Sequence, residues 1–378
     1  MIKIALKIIT KIKRKLNNLE VAYLRSKHLA RFKYSQKIIL LLLPNDDSIN
    51  GGILSIVSIF NEFNSLKGLH ECDVIAATHT YRSNEYFLKF SKFKNNMIVF
   101  DLKRVLKKIQ EVKELHIHIP ELFLKEFIDS FEKEWSSLDK KKLLNMDVLH
   151  INILNQNDML MPDYKYIDKI KELVTENVTM TVAHKKYATI DKRNKYNVSL
   201  HYLSAWLNPV PYEVKSFAEK ENVILFSPDE LARLNIIYHC TKQDLIDMLK
   251  IALPDFEIIV IENLTYDDYK ALVSKSKFMI TLGEGLDGYF IETVLSGGIA
   301  FAVYNDKFFT EDYKNLPTVY ESIDDLFKKI VRDIDSYNDK SEFTAYHQVL
   351  KDIVEIEYSY QKYQNRVKNY ILGNYDFK

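Results

Sequence analysis

The 378-residue chain holds only two cysteines, two tryptophans, eight prolines and nine glycines. Cys72 and Cys240 are too few for a disulfide framework and form no paired metal-ligand motif. That usage implies a reducing cytoplasm. Long apolar runs are missing as well. The longest, "IILLLL" at 38–43, falls far below the roughly 18–20 residues of a membrane span. The N-terminus lacks the apolar stretch and small-residue cleavage site of a signal peptide.

What is present describes a globular protein: 47% hydrophobic and 28% charged residues, with a length that suits two domains. The net charge of +1 conceals an asymmetry. Residues 1–33 carry ten Lys/Arg and a single acid, Glu20, so the rest of the chain is net acidic. In "MIKIALKIITKIKRKLNN", Ile2, Leu6, Ile9 and Leu16 recur at near-helical spacing among Lys3, Lys7, Lys11, Lys13, Arg14 and Lys15. A basic amphipathic helix of this kind suits an anionic membrane surface, gaining up to about 1 kcal/mol per basic residue. The alternative is a helix packed on its own domain by its apolar side. No base-reading motif accompanies the charge, so nucleic acid is not an expected partner.

Apolar runs alternate with helical patterns, which predicts parallel α/β units. Strands are expected at 37–43, 72–78, 96–102, 114–119, 147–153 and 177–183, and in a second series at 222–227, 256–262, 277–282 and 298–304. Pro209 and Pro211 interrupt the chain between the two series. The expected organisation is a basic arm (1–33), an N-terminal domain (34–206), a C-terminal domain (222–340) and a helical segment (341–378). A cleft between two such domains is a usual place for a ligand.

Seven of the nine glycines fall in two places, Gly51–Gly52 and the group Gly283, Gly285, Gly288, Gly297, Gly298. Both follow strands, so both are strand-to-helix turns, where backbone N–H groups attract anions. "GEGLDG" (283–288) fits the G-x-G-x-x-G dinucleotide turn, and Asp306 lies 18 residues beyond its last glycine. Against that reading, Glu284 and Asp287 sit where a pyrophosphate would have to lie, and the turn comes late in its domain. An E-x7-E pattern, Glu284 before the helix and Glu292 inside it, uses the same residues better. One carboxylate then reaches a sugar at its reacting end and the other accepts from ribose hydroxyls.

"EGLDGYFIETVLSGG" resembles the E-x7-E segment of the retaining GT-B glycosyltransferases of family 4. Asp287 stands at the usual glycine position and Gly288 at the next. "LPNDDSINGGILSIVSIF" (43–60) resembles that family's first glycine-pair turn. "DVLHINI" and "TMTVAH" resemble its two cleft-facing strands, with His184 at the position that contacts the donor sugar and His150 at the earlier one. His116 and His118 alternate on a strand without an evident third metal ligand, and are read as structural. The family's Arg–Lys pair after the first strand of the second domain is absent. "VILFSPDELARLN" offers Arg233 as the nearby cation, with Lys185, Lys186 or Lys307 as further sources of positive charge.

The resemblance implies an α/β fold of GT-B type, two Rossmann-like parallel-sheet domains facing a central cleft, the first (34–206) for the acceptor and the second (222–340) for the nucleotide-sugar donor. It implies transfer of a hexose from a UDP-, GDP- or TDP-linked donor to a glycan or glycolipid acceptor, with retention of configuration; the charge of the basic arm alone suggests a lipid-linked acceptor of a bacterial envelope, such as a capsule or lipopolysaccharide. Glu284 and His184 would be catalytic. Glu292, Gly285, Gly288, Arg233, Gly51 and Gly52 would hold the donor. No metal or other cofactor is expected. The protein would sit at the inner membrane face through residues 1–33. Two alternatives stay open: a non-catalytic GT-B protein that binds glycan or nucleotide as an assembly partner, and a nucleotide-sugar epimerase.

Overall fold

The computed structural model describes residues 12, 15–16, 19–20, 22–24, 26–45, 50–83, 86–87, 97–109, 111–204, 213–230, 240–286 and 288–378. Arg233, Asp287 and most of the basic arm lie outside them.

The chain forms two compact units. Unit 1 runs to Ala183 and takes in Ala188–Tyr202 and Val367–Lys378; unit 2 comprises Leu203–Arg366 together with His184–Tyr187. Two segments therefore leave the linear order expected from the sequence. The four residues after "TVA" join the second unit, and the last twelve residues join the first.

Unit 1 is built on an eight-stranded sheet: β1 (Lys37–Leu43), β2 (Asp73–Thr78), β3 (Tyr86–Phe87), β4 (Ile98–Phe100), β5 (Glu114–Pro120), β6 (Val148–Asn155), β7 (Val178–Val182) and β8 (Ser199–Tyr202). Its order is β3-β4-β2-β1-β5-β6-β7-β8, all parallel apart from β3. Helices α1 (Gly51–Ser65), α2 (Leu102–Lys108), α3 (Leu124–Lys133), α4 (Ser137–Leu144), α5 (Lys165–Leu173) and α6 (Ile190–Tyr196) connect the strands. After Lys37, β1 is apolar, and Ile38 to Leu43 are all at most 4% exposed, as expected of a parallel strand covered on both faces.

One face of this sheet is polar inside. His116 Nδ1 lies 3.0 Å from His150 Nδ1, His150 Nε2 lies 2.8 Å from Thr179 Oγ1, and Asn152 Nδ2 donates to Thr181 Oγ1 at 3.1 Å. Period-two alternation puts these groups on the same side of neighbouring strands. The C-terminal segment closes over them: Tyr370 packs its ring on His118 and His201, and Tyr202 N donates to Asp376 at 2.6 Å.

Unit 2 holds a five-stranded parallel sheet of order β10-β9-β11-β12-β13, with β9 (Glu221–Phe226), β10 (Glu257–Val260), β11 (Ser276–Thr281), β12 (Ile299–Val303) and β13 (Val319–Tyr320). Its helices are α7 (Lys242–Ala252), α8 (Tyr266–Lys275), α9 (Gly288–Leu295), α10 (Ile323–Tyr337), α11 (Lys340–Tyr358) and α12 (Tyr360–Ile371), the last continuing into unit 1. Side-chain caps set the starts: Thr241, Thr265, Ser322 and Asp339 each accept from a backbone amide in the first turn. Among the described residues no helix is long and apolar enough to cross a membrane.

Each sheet has one point where consecutive strands depart in opposite directions. In unit 1 it lies between β1 and β5, and in unit 2 between β9 and β11. Ligands of open α/β sheets bind outside the carboxyl ends of the strands at that reversal. The first glycine group and part of the second fall there, while Gly297 and Gly298 lie between α9 and β12. Gly51–Gly52 follow β1, and Gly283, Gly285 and Gly288 follow β11.

Candidate functional site

At the unit 2 reversal the ends of β9 and β11 are tied together. Ser227 N donates to Ile280 O at 3.0 Å, and Leu282 N donates to Ser227 Oγ at 3.3 Å. The turn that follows needs its glycines. A Cβ on Gly283 would lie 2.8 Å from the Asp229 carboxylate carbon, and Gly285, at φ +82°, would place one 2.5 Å from the Phe309 ring. The first glycine lets an acid pack against the turn and the second lets the chain reverse. Gly288 is the first residue of α9.

Glu284 is half-buried in this turn. Its charge and that of Asp306 raise the Tyr187 pKa, after the larger effect of burial. Tyr187 meets His184 edge-on with ring centroids 6.2 Å apart, and His184 lies 5.5 Å from Phe308. His184, Tyr187, Glu284 and Phe308 thus gather around one end of the unit 2 sheet. Burial pulls the His184 pKa down to about 4, so the ring is neutral near pH 7. Its Nδ1 is buried and has no hydrogen-bond partner among the described residues. A neutral imidazole with one nitrogen unengaged suits a hydroxyl rather than a phosphate.

Glu292 sits in the second turn of α9, 3% exposed. It accepts from Tyr266 Oη, and Lys270 Nζ stands 3.8 Å from its Oε1. Burial raises the carboxyl pKa, while Lys270 and the Tyr266 hydroxyl hold it down. Burial lowers the Lys270 ammonium to about 8. A ribose at Glu292 would therefore share a carboxylate already engaged with α8.

One cation escaped the sequence reading, which offered Arg233 as the nearby one. Lys242, the first residue of α7, is 5% exposed and donates from Nζ to Ser227 O at 2.7 Å, at the end of β9. A signal for it existed. Thr241 and Asp244 form a capping box, and a lysine at the first helical position opposes the helix dipole, so it needs another reason to be there. Asp229 and Tyr187 were also missed, because neither belongs to a spaced motif.

In unit 1, Gly51 and Gly52 open α1 behind the Asn50 cap, whose side chain accepts from Ile53 N at 3.0 Å. His150 is deep in the sheet interior, its pKa lowered to about 3 by burial first and then by His116. His116 does acquire company the sequence did not show. Cys72 and Glu114 bring ligand-type atoms within 4.8 Å of it and of one another. The group lies at the amino ends of β2 and β5, and its members are engaged: His116 Nε2 with Glu114 at 2.8 Å and Lys37 Nζ with Glu114 at 3.8 Å.

No family model and no curated protein matches the chain by sequence. Solved structures do match. An α-glucosyltransferase in complex with UDP-glucose and DNA superposes with a TM-score of 0.56 at 11% identity, covering 89% of this chain and 99% of that one. Anabaena HepE in complex with UDP-glucose gives 0.54 at 9% identity, covering 89% and 98%. HepE with UDP and glucose gives the same score and identity, covering 89% and 99%. At such identities the likeness shows the fold, which is α/β of GT-B type with two Rossmann-like units.

Proposed function

We propose that the protein is a glycosyltransferase that moves a sugar from a nucleoside-diphosphate donor to a hydroxyl of a glycan or lipid-linked acceptor, with retention of configuration. The observation that carries this reading is the content of the unit 2 reversal. An acid on a glycine turn, a buried lysine, a helix N-terminus and a neutral histidine all belong to the loops of unit 2, the first three following β9 and β11 at the reversal where such folds hold nucleotides. Structures of the same fold contain UDP-glucose, which supports a UDP-linked donor.

In the reaction the bond from the anomeric carbon to the diphosphate breaks and a bond to the acceptor oxygen forms, while the acceptor's proton passes to an oxygen of the departing diphosphate. Negative charge gathers on the diphosphate. Lys242 and the start of α9 are the groups on hand to stabilise it, as preorganised charges whose reorganisation cost is small. Glu284 holds sugar hydroxyls and favours positive charge at the anomeric carbon. His184 orients the sugar through its neutral ring. Glu292 receives ribose hydroxyls beside Tyr266. Gly285 and Gly288 let backbone amides approach the donor, and no metal is assigned a role.

The basic arm suggests an acceptor at an anionic membrane. Ile12, Leu16, Leu19 and Tyr23, spaced as one helical face, are 53–65% exposed. Sedimentation with phosphatidylglycerol vesicles tests this. Binding that weakens with salt and with Leu16→Glu plus Leu19→Glu is the expected result.

Calorimetry with UDP, GDP and TDP, together with assays of donor hydrolysis and transfer, tests the activity. One nucleotide should bind, and Glu284→Ala should cut turnover far more than nucleotide affinity. Binding with no turnover under any acceptor would leave a sugar-nucleotide-binding partner protein instead. Release of an epimerised sugar would make it an epimerase.

A further inference from the structure

We propose a zinc-class metal site at the amino ends of β2 and β5, ligated by Cys72 Sγ, a Glu114 carboxylate oxygen and His116 Nε2, that pins the two strands across β1; it is independent of the glycosyl-transfer reading above.

The ladder brings the three side chains together. Ile38 pairs with Asp73 and Lys37 with Glu114, so Cys72 stands level with Glu114, two strands away. Glu114 and His116 are two apart on β5 and share a face. Cys72 is 2% exposed, whereas the Glu114 and His116 side chains are 28% and 25% exposed, which gives an ion a way in. Their ligand atoms all lie within 4.8 Å of one another. A tetrahedral zinc holds its ligand atoms roughly 3.2–3.8 Å apart, so small side-chain rotations close the set and water completes it. Lys37 leans to Glu71, at 3.2 Å, rather than to Glu114, at 3.8 Å.

The hydrogen bonds behind His116 fix which of its nitrogens is free. Thr179 Oγ1 donates its only proton to Asn152 Oδ1 at 2.9 Å. His150 Nε2, 2.8 Å from that hydroxyl, must then be the donor to it. His150 is 5% exposed and pairs with no acid among the described residues, so its ring is neutral and its Nδ1 accepts. His116 Nδ1, 3.0 Å away, must donate. In a neutral His116 that leaves Nε2 as a bare lone pair, 2.8 Å from Glu114 Oε1. Two lone pairs at that distance repel, and something positive has to lie between them.

A proton would make an ordinary ion pair. The sulfur beside them points to a metal. Thiolate, imidazole and carboxylate form a zinc donor set, and the two anionic ligands neutralise a divalent cation. His150 is the partner that a metal-bound imidazole needs for its other N–H. The Cys72 thiol, which donates to His70 O at 3.3 Å, would release its proton to solvent on binding. The seven residues of β5 span about 20 Å, so the metal lies far from the carboxyl ends of the strands and has no part in transfer.

Metal-stripped full-length protein, kept reduced with a phosphine, would be titrated with Co²⁺ and then with Zn²⁺. One Co²⁺ per chain should bind and give a thiolate-to-cobalt charge-transfer band that Zn²⁺ removes. Cys72→Ser should abolish the band, and Cys240→Ser should keep it. Glu114→Gln and His116→Gln should each weaken Zn²⁺ binding at least about tenfold, the loss typical even of partners one layer further out. Zn²⁺ should raise the thermal midpoint of the wild type and not that of His116→Gln. The site is refuted if the wild type binds no Co²⁺, if the band survives Cys72→Ser or is lost in Cys240→Ser, or if neither E114Q nor H116Q weakens Zn²⁺ binding. Should Cys72→Ser fold poorly by circular dichroism, the two partly exposed positions decide. A wild type that takes up no metal, with two ring protons on His116 in nitrogen-15 spectra, would establish the ion pair instead.

Discussion

The two sheets reverse strand order in the same manner, and each reversal carries a glycine turn that opens a helix, but the turns differ in what they demand. In unit 2 the glycines are compulsory: Gly285 is at φ +82° against Phe309, and Gly283 lies against Asp229. A buried lysine and a neutral histidine complete that end of the sheet. In unit 1 a Cβ on Gly51 would meet nothing within 4 Å, and the buried Asn155 Oδ1 at the end of β6 has no hydrogen-bond partner among the described residues. One topology thus carries a buried lysine and a neutral histidine in one unit and an unmatched buried amide oxygen in the other. Chemistry at a reversal is set by the few residues that follow each strand, and the sheet only fixes where they gather.

That contrast can be broken experimentally. The largest effect is expected at Glu284: Glu284→Ala should lower kcat by about 10²–10³-fold with little change in nucleotide affinity, measured by steady-state transfer kinetics beside calorimetry. Next, Gly285→Ala should destabilise unit 2 by about 2–4 kcal/mol in urea unfolding, from the left-handed backbone and the ring overlap combined. Lys242→Met should weaken UDP binding by about 1.5–3 kcal/mol, the range for charged hydrogen bonds, and equal affinity would remove Lys242 from the site.

The pH dependence has a definite sign. His184 and His150 have folded pKa values of about 4 and about 3, against 6.5 unpaired. Both are neutral above that ordinary value in either state. As pH falls below it, the unfolded chain takes up protons that the folded chain refuses until pH 4 or lower. Stability should therefore fall between pH 7 and pH 5. His184→Gln and His150→Gln should each flatten that decline in denaturant titrations at the two pH values. The smallest effect is the control: Gly51→Ala should be neutral or stabilising by up to about 1 kcal/mol, since alanine favours the helix and meets no atom.

Much of the architecture was legible because buried parallel strands write themselves as apolar runs. All ten expected strands correspond to observed ones, with ends shifted by a few residues. The three that were missed, β3, β8 and β13, are edge strands of two to four residues, and a run as short as "SLHY" has too little pattern to register. The helix-rich end after residue 320 was equally plain, but its division between the units was not. Tyr370 and Asp376 are assigned by what they touch across the fold, His118, His201 and Tyr202, rather than by any local signal. His184 is the same case. The sequence places it after a unit 1 strand, while its ring contact with Phe308 puts it in unit 2.

The sequence by itself determined the two-sheet α/β plan, the positions of both glycine turns and the pairing of Glu284 with a short helix, because periodicity and glycine placement are local properties of the chain. Tertiary structure alone decided that Lys242 reaches the end of β9 and that Glu292 is engaged by Tyr266 and Lys270. It also left the buried Asn155 Oδ1 without a hydrogen-bond partner among the described residues. Those outcomes depend on which groups meet across strands distant in sequence. Burial then decides which charges and hydrogen bonds must be satisfied, and no spacing rule along the chain encodes that.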